Sequence, residues 1–267
     1  MALVQFPSPH SGAYDSNLEE TDLASDSKMS FLEHLDELRT RIVHSCIAIA
    51  VGVVVGFAFI ERVVNFILAP TRRLLPQGSK LIYTQPGEAF SLYVQVALIA
   101  GVMLAAPYIM YQVWLFIAPG LYSNEKKLAI PFVLMSTLGF VGGALFNHYI
   151  VFPFMMAFFA SFHSPDLMFL PRLDDVFGLY TKMLIGMGLV FQMPTLVFFL
   201  AKMQLVTGRF LAKNIKYAVL IIFVVAAVIT PSGDMATQAI FAAPMLGLYL
   251  LSIVIAWLVG PKRERDA

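Results

Sequence analysis

Six apolar runs, most of them close to the length that crosses a lipid bilayer, govern what this chain can become: Ile42–Ile60, Ala89–Ile117, Leu128–Phe152, Val176–Ala201, Tyr217–Thr230 and Ala236–Val259. A helical crossing takes about 20 apolar residues, because lipid offers no partner to a bare N–H or C=O and a helix satisfies them internally. With 59% of its 267 residues hydrophobic and 13% charged, the chain has more apolar surface than one water-soluble core can cover. The expected fold class is all-α, a polytopic integral membrane protein with six transmembrane helices.

An even number of crossings puts both termini on one side. Of the 18 Lys and Arg, 12 fall on that side, and the other side holds Arg62, Arg72, Arg73, Lys80, Arg172 and Lys182. Positive residues accumulate on the cytoplasmic face, so the N and C termini are expected to be cytoplasmic, although the loop Glu61–Glu88 holds four of the opposing six. The net charge of +1, with no basic face anywhere, argues against a nucleic-acid partner. Cys46 stands alone within an apolar run, which excludes an intrachain disulfide and predicts a buried apolar thiol.

Residues 1–28 carry Asp15, Glu19, Glu20, Asp22 and Asp26 against Lys28 alone, and are expected to be a disordered acidic N-terminal extension. No positive start leads into a continuous apolar stretch, so the first helix is expected to insert without cleavage. Residues 29–260 form the six-span membrane domain and 261–267 a short cytoplasmic tail. The first ordered element is expected from Met29 to Arg41, where Ser30 and Glu33 have capping-box spacing. Phe31, Leu35, Leu38 and Ile42 share one face of that helix and Glu33, Glu37 and Arg41 another, which predicts an amphipathic helix on the membrane surface.

The spans are punctuated. Pro107, Pro131, Pro153, Pro194 and Pro244 lie within or at the ends of helices, and each interior proline removes a backbone hydrogen bond and bends its helix. Gly52 with Gly56, and Gly139 with Gly143, have the small-residue spacing that lets helices approach closely. The fifth run, Tyr217–Thr230, reaches only about 21 Å as a helix against a hydrocarbon core of about 30 Å. Local bilayer thinning or water access beside it follows.

Polar side chains within these runs are the candidate functional groups. Lys182 is near enough to the outer end of its span to snorkel to the interface. Gln192 lies deep in the same span, immediately before the bend at Met193 and Pro194, where its amide needs a partner or water. His148, Thr230 and Gln238 lie toward outer ends, suited either to interface hydration or to docking a polar residue of a partner helix. In the loop Glu61–Glu88, the run VVNFILAP predicts an interfacial helix stopped at Pro70, and Thr230–Asp234 reads as a tight turn.

Two stretches carry a family resemblance. Tyr111–Phe132, YQVWLFIAPGLYSNEKKLAIPF, joins two spans through a helix break at Pro119 and Gly120 and a polar tip of Glu125, Lys126 and Lys127, with Trp114 and Phe116 expected at the membrane interface. It resembles the first cytoplasmic loop of TatC, the receptor subunit of the twin-arginine protein translocase. Phe31–Arg41, FLEHLDELRTR, resembles that family's N-terminal signature. The resemblance spans about residues 29–260 and implies a cup-like six-helix bundle with short final helices in a bacterial-type cytoplasmic membrane. It implies binding of twin-arginine signal peptides of folded cargo through Glu37, Arg39, Phe116 and Glu125. It also implies partnership with TatA- and TatB-type single-span subunits, self-association among membrane lipid, and export driven by the proton motive force. Gln192, His148, Thr230 and Gln238 become candidates for partner or cavity contacts, and Pro70 and Asp234 for the outer loops. Many relatives carry a glutamate where this chain has Gln192, so a role needing a titratable carboxylate there is in doubt.

No enzyme is expected. The sequence has no His-Glu-x-x-His run, no Gly-x-Ser-Gly nucleophile and no phosphate-binding loop, hence no metal or cofactor is assigned. The alternative is a six-helix secondary carrier for a small solute, which predicts two halves with matched broken helices. No convincing internal repeat is visible in the sequence.

Overall fold

The computed structural model describes residues 12–74, 81–117, 129–162, 169–230 and 234–260, with side chains from residue 33 onward. Among these residues the architecture is helical throughout, and the extended backbone is limited to an isolated bridge between Ile82 and Arg172. The helices are α1 (Gly12–Ala58), α2 (Ile60–Leu74), α3 (Glu88–Ile117), α4 (Ala129–Phe146), α5 (Phe152–Ala160), α6 (Leu173–Val190), α7 (Met193–Lys202), α8 (Gly208–Lys213), α9 (Ile215–Ile229) and α10 (Met235–Val259). A π turn, Asn147–Val151, joins α4 to α5 without interrupting the rod.

Five helical stretches are long and apolar enough to cross a membrane: Glu33–Ala58, Glu88–Ile117, Ile130–Ala160, Leu173–Lys202 and Met235–Val259. The sixth, α9, is apolar but has only 15 residues, as the short fifth run led one to expect. Of the long stretches, Leu173–Lys202 is the one with the break the sequence announces. Its helical hydrogen bonding lapses at Phe191 and Gln192, and α7 restarts with Pro194 in its first turn, where a missing N–H costs nothing.

Several boundaries differ from the sequence reading. The helix of Met29–Arg41 is not a separate surface element: α1 begins at Gly12 and runs unbroken to Ala58. Nothing between Arg41 and Gly52 breaks a helix, so the amphipathic part and the first span are one rod, and Ser30 caps no helix start. Pro70 does not stop its helix either. It is buried inside α2, which continues to Leu74 because Val64, Ile67, Leu68 and Thr71 hold one face against the core. Pro153 begins α5 instead of ending a span, and the third crossing extends to Ala160.

Glycines set the closest crossings. A Cβ on Gly52 would lie 2.6 Å from the Gly101 carbonyl, and one on Gly143 would lie 2.6 Å from the Met187 carbonyl. Backbone therefore meets backbone where α1 crosses α3 and where α4 crosses α6. The main core gathers around Phe152, Met155, Phe177, Met183, Met187 and Phe241, from α5, α6 and α10. Cys46, expected as a buried thiol, is exposed on the outer surface of α1, which packs chiefly on α3.

Candidate functional site

Just before its apolar span, α1 presents a ladder of polar groups generated by helical spacing. Glu37 Oε1 accepts a 2.9 Å hydrogen bond from Arg41 Nη2, one turn on, and both side chains keep about a quarter of their surface exposed. Such a pair contributes about 0.3–0.5 kcal/mol, so it holds Glu37 in place while leaving it easy to displace. Arg39 is exposed and lines a small depression of about 180 Å³ with Asp36, Thr40, Val43 and His44.

Phe116 belongs to the last turn of α3, yet its ring stacks on that of His34 in α1, with centroids 4.5 Å apart and planes 19° from parallel. This contact brings the stretch Phe31–Arg41 against the beginning of Tyr111–Phe132. Glu125, Lys126 and Lys127 lie outside the described residues. Trp114, expected at the membrane interface, is instead buried against Phe132 of α4 and Phe199 of α7, with centroids at 5.0 and 5.7 Å. It fastens α3, α4 and α7 together two residues before Phe116.

Gln192 sits at the break between α6 and α7, and its Nε2 donates 2.9 Å to the Ser136 carbonyl of α4. Gly139 allows this approach, since a Cβ there would lie 3.0 Å from the Phe191 carbonyl. The amide thus finds a partner inside the bundle. Thr230 Oγ1 donates to the Ala226 carbonyl at 2.8 Å and Gln238 Nε2 to the Phe223 carbonyl at 2.6 Å, so each donates to the chain's own backbone. His148 is buried: Phe66 of α2 stacks on it at 3.9 Å, and its Nδ1 shares a 3.2 Å hydrogen bond with the Tyr180 hydroxyl of α6. That burial replaces the interface hydration considered for it. Asp234 caps α10, accepting from Thr237 N at 2.8 Å and Thr237 Oγ1 at 2.7 Å.

Two features have no counterpart in the sequence reading. Glu88, at the start of α3, accepts from the N–H groups of Thr84 and Gln85 at 2.7 and 3.0 Å and pairs with Arg172 at 3.4 Å. With the Leu173 N–H donating to the Ile82 carbonyl at 2.8 Å, this clasps the segments leading into α3 and α6 together. The π turn fully buries Asn147, whose carboxamide has no hydrogen-bond partner among the described residues. An acidic residue at an apolar run's edge, as Glu88 is, was the available signal for the clasp.

Broken apolar helices, backbone-to-backbone glycine crossings and a polar ladder beside the first span define a multi-pass all-α membrane protein. The chain belongs to the TatC family: the model of the family described as Sec-independent protein translocase protein (TatC) matches residues 33–244. The Sec-independent protein translocase protein TatC of Koribacter versatilis is 42% identical over 240 residues, spanning 89% of this chain and 88% of its own length. That of Desulforapulum autotrophicum is 42% identical over 241 residues, covering 90% and 89%. A crystal structure described as twin arginine translocase receptor TatC superposes with a TM-score of 0.74 at 36% identity, covering 85% of this chain and 99% of that one. The protein is a component of protein transport in the membrane, and the solute-carrier reading is displaced.

Proposed function

We propose that this chain is the receptor subunit of a twin-arginine translocation system. It binds the twin-arginine signal peptides of folded cargo at its cytoplasmic rim and works with TatA- and TatB-type single-span subunits. With them it passes the cargo across the membrane at the expense of the proton motive force. The observation that carries the reading is the His34–Phe116 stack, which sets the Glu37 and Arg39 ladder beside the start of the stretch holding Glu125. A guanidinium offers a planar fork that a carboxylate accepts in a bidentate way and that an ammonium cannot reproduce. Glu37 uses Oε1 for Arg41, and a hydrogen bond to a charged group, at roughly 1.5–3 kcal/mol, outweighs that weak intrahelical pair.

Binding of Arg-Arg and Lys-Lys signal peptides to detergent-purified protein at fixed salt tests this. Glu37→Ala and Glu125→Ala should each weaken Arg-Arg binding about tenfold to a hundredfold and erase the preference over Lys-Lys. Retention of the full preference in both variants would place recognition elsewhere.

A further inference from the structure

The fifth crossing starts with a set of cations that nothing in the proposed receptor mechanism uses. Arg209 and Lys213 stand one turn apart on α8, Lys216 follows at the start of α9, and all three are exposed. The sequence has no Asp or Glu between Asp175 and Asp234. The ion pairs among the described residues are Glu37–Arg41 and Glu88–Arg172, so these three charges have no carboxylate partner there.

α8 is fixed beside the membrane crossings and not beyond them. The Tyr249 hydroxyl donates to the Leu211 carbonyl at 2.9 Å, and Tyr249 lies well inside the crossing Met235–Val259. Ala201, Ala256 and Leu211 share one apolar cluster, which sets the end of α7 and the middle of α8 against the same stretch of α10. A Cβ on Gly208 would run into the Trp257 ring, so the backbone there lies against the indole. Because α9 has only 15 residues, Lys213 and Lys216 are held where hydrocarbon meets headgroups.

The order of residues along this crossing decides what suits its surface. From the edge inward, α9 exposes Lys216 and then Leu220, Val224 and Val228, these last three at 63, 57 and 81%. Leu220 is one turn beyond Lys216 and the two valines follow at further turns, so this apolar stripe lies deeper in the bilayer than all three cations. Side chains on a helix lean toward its N-terminus, here the membrane edge, so the lysine stems carry their ammonium groups away from the hydrocarbon. A molecule that covers both parts has an anionic head at the level of the lysines and an acyl chain below it. An acidic soluble peptide matches the charges and leaves the apolar stripe uncovered.

We propose that the start of the fifth crossing is a binding site for an anionic glycerophospholipid, with the phosphate between Lys213 and Lys216, Arg209 at the rim, and an acyl chain along Leu220 and Val224. A headgroup that adds an ammonium to the phosphate is disfavoured, because it brings a fourth positive charge to three that no carboxylate among the described residues offsets.

Full-length protein is reconstituted into vesicles of equal parts phosphatidylglycerol and phosphatidylethanolamine, re-extracted in mild detergent, and the retained lipid counted by native mass spectrometry. The wild type should retain phosphatidylglycerol at least fivefold over phosphatidylethanolamine. Lys213→Gln with Lys216→Gln should lose most of that phosphatidylglycerol, and Lys213→Arg with Lys216→Arg should keep it. Lys182→Gln removes an exposed cation nearer the other membrane edge and should leave retention unchanged. Millimolar glycerol phosphate in the extraction buffer should not displace the lipid. If the double glutamine variant is not monodisperse on size exclusion, the two single glutamine variants decide, each expected to lose at least half of the bound phosphatidylglycerol. Equal retention of the two lipids by the wild type, full retention in the glutamine variants, an equal loss in Lys182→Gln, or displacement by glycerol phosphate would overturn the assignment.

Discussion

Substituting alanine at Gly52 tests whether the glycine crossings hold this bundle together. The new Cβ would lie 2.6 Å from the Gly101 carbonyl oxygen and 3.0 Å from the Gly101 Cα, both backbone atoms with no rotamer to yield. Restoring ordinary contact requires α1 and α3 to part by roughly 0.8 Å at their closest point. Overpacking of this kind costs about 1–3 kcal/mol, against a gain of up to about 1 kcal/mol from replacing glycine in a helix. The net loss of about 1–2 kcal/mol corresponds to a melting temperature lower by roughly 2–8 °C for a chain of this size. Gly142→Ala is the matched control, because its Cβ would meet the Phe191 ring at 3.8 Å, an ordinary contact. That variant should melt at or slightly above the wild-type temperature. Both are measured by heating detergent-purified protein and following the monodisperse peak on size exclusion. A Gly52→Ala protein as stable as the wild type, or a Gly142→Ala protein that loses stability to the same degree, would refute the argument that backbone contact fixes α1 on α3.

Orientation is checked by placing single cysteines in a Cys46→Ser background: in intact cells an impermeant maleimide should label Ser79→Cys and not Asn124→Cys, and the reverse pattern would invert the topology. Gln192→Leu removes the donor to the Ser136 carbonyl and should impair transport in a cargo-export assay. Gln192→Glu should be tolerated, because a protonated carboxyl can donate the same bond; full export by Gln192→Leu would reduce the amide to packing. Arg172→Leu and Glu88→Gln should each raise protease sensitivity of the outer loops in spheroplasts without changing signal-peptide binding, and unaltered cleavage in both would dismiss the clasp.

Class, crossings and the break before Pro194 were legible because they rest on local physics, whereas the stop expected at Pro70 was overridden by packing of α2. A bilayer demands long apolar helices, a proline withdraws one N–H from a helical turn, and these constraints act over a few residues. Hence the break before Pro194, the short α9 and the glycine faces of α1 and α4 were readable in advance, as was the family signature in Phe31–Arg41. Which face of each helix is buried was not. Lipid is as welcoming to leucine as a protein core is, so apolar residues surround these helices on all sides and periodicity loses its direction. Trp114 could equally have lain at the interface, Cys46 in the core and His148 in water. Tertiary packing decided each case, through Phe132 and Phe199 around Trp114, α3 covering only one side of α1, and Phe66 with Tyr180 enclosing His148. The clasp between Glu88 and Arg172 joins residues 84 positions apart, a separation at which no local pattern carries information. Its existence depends on two helices ending at the same height, which only the folded bundle determines.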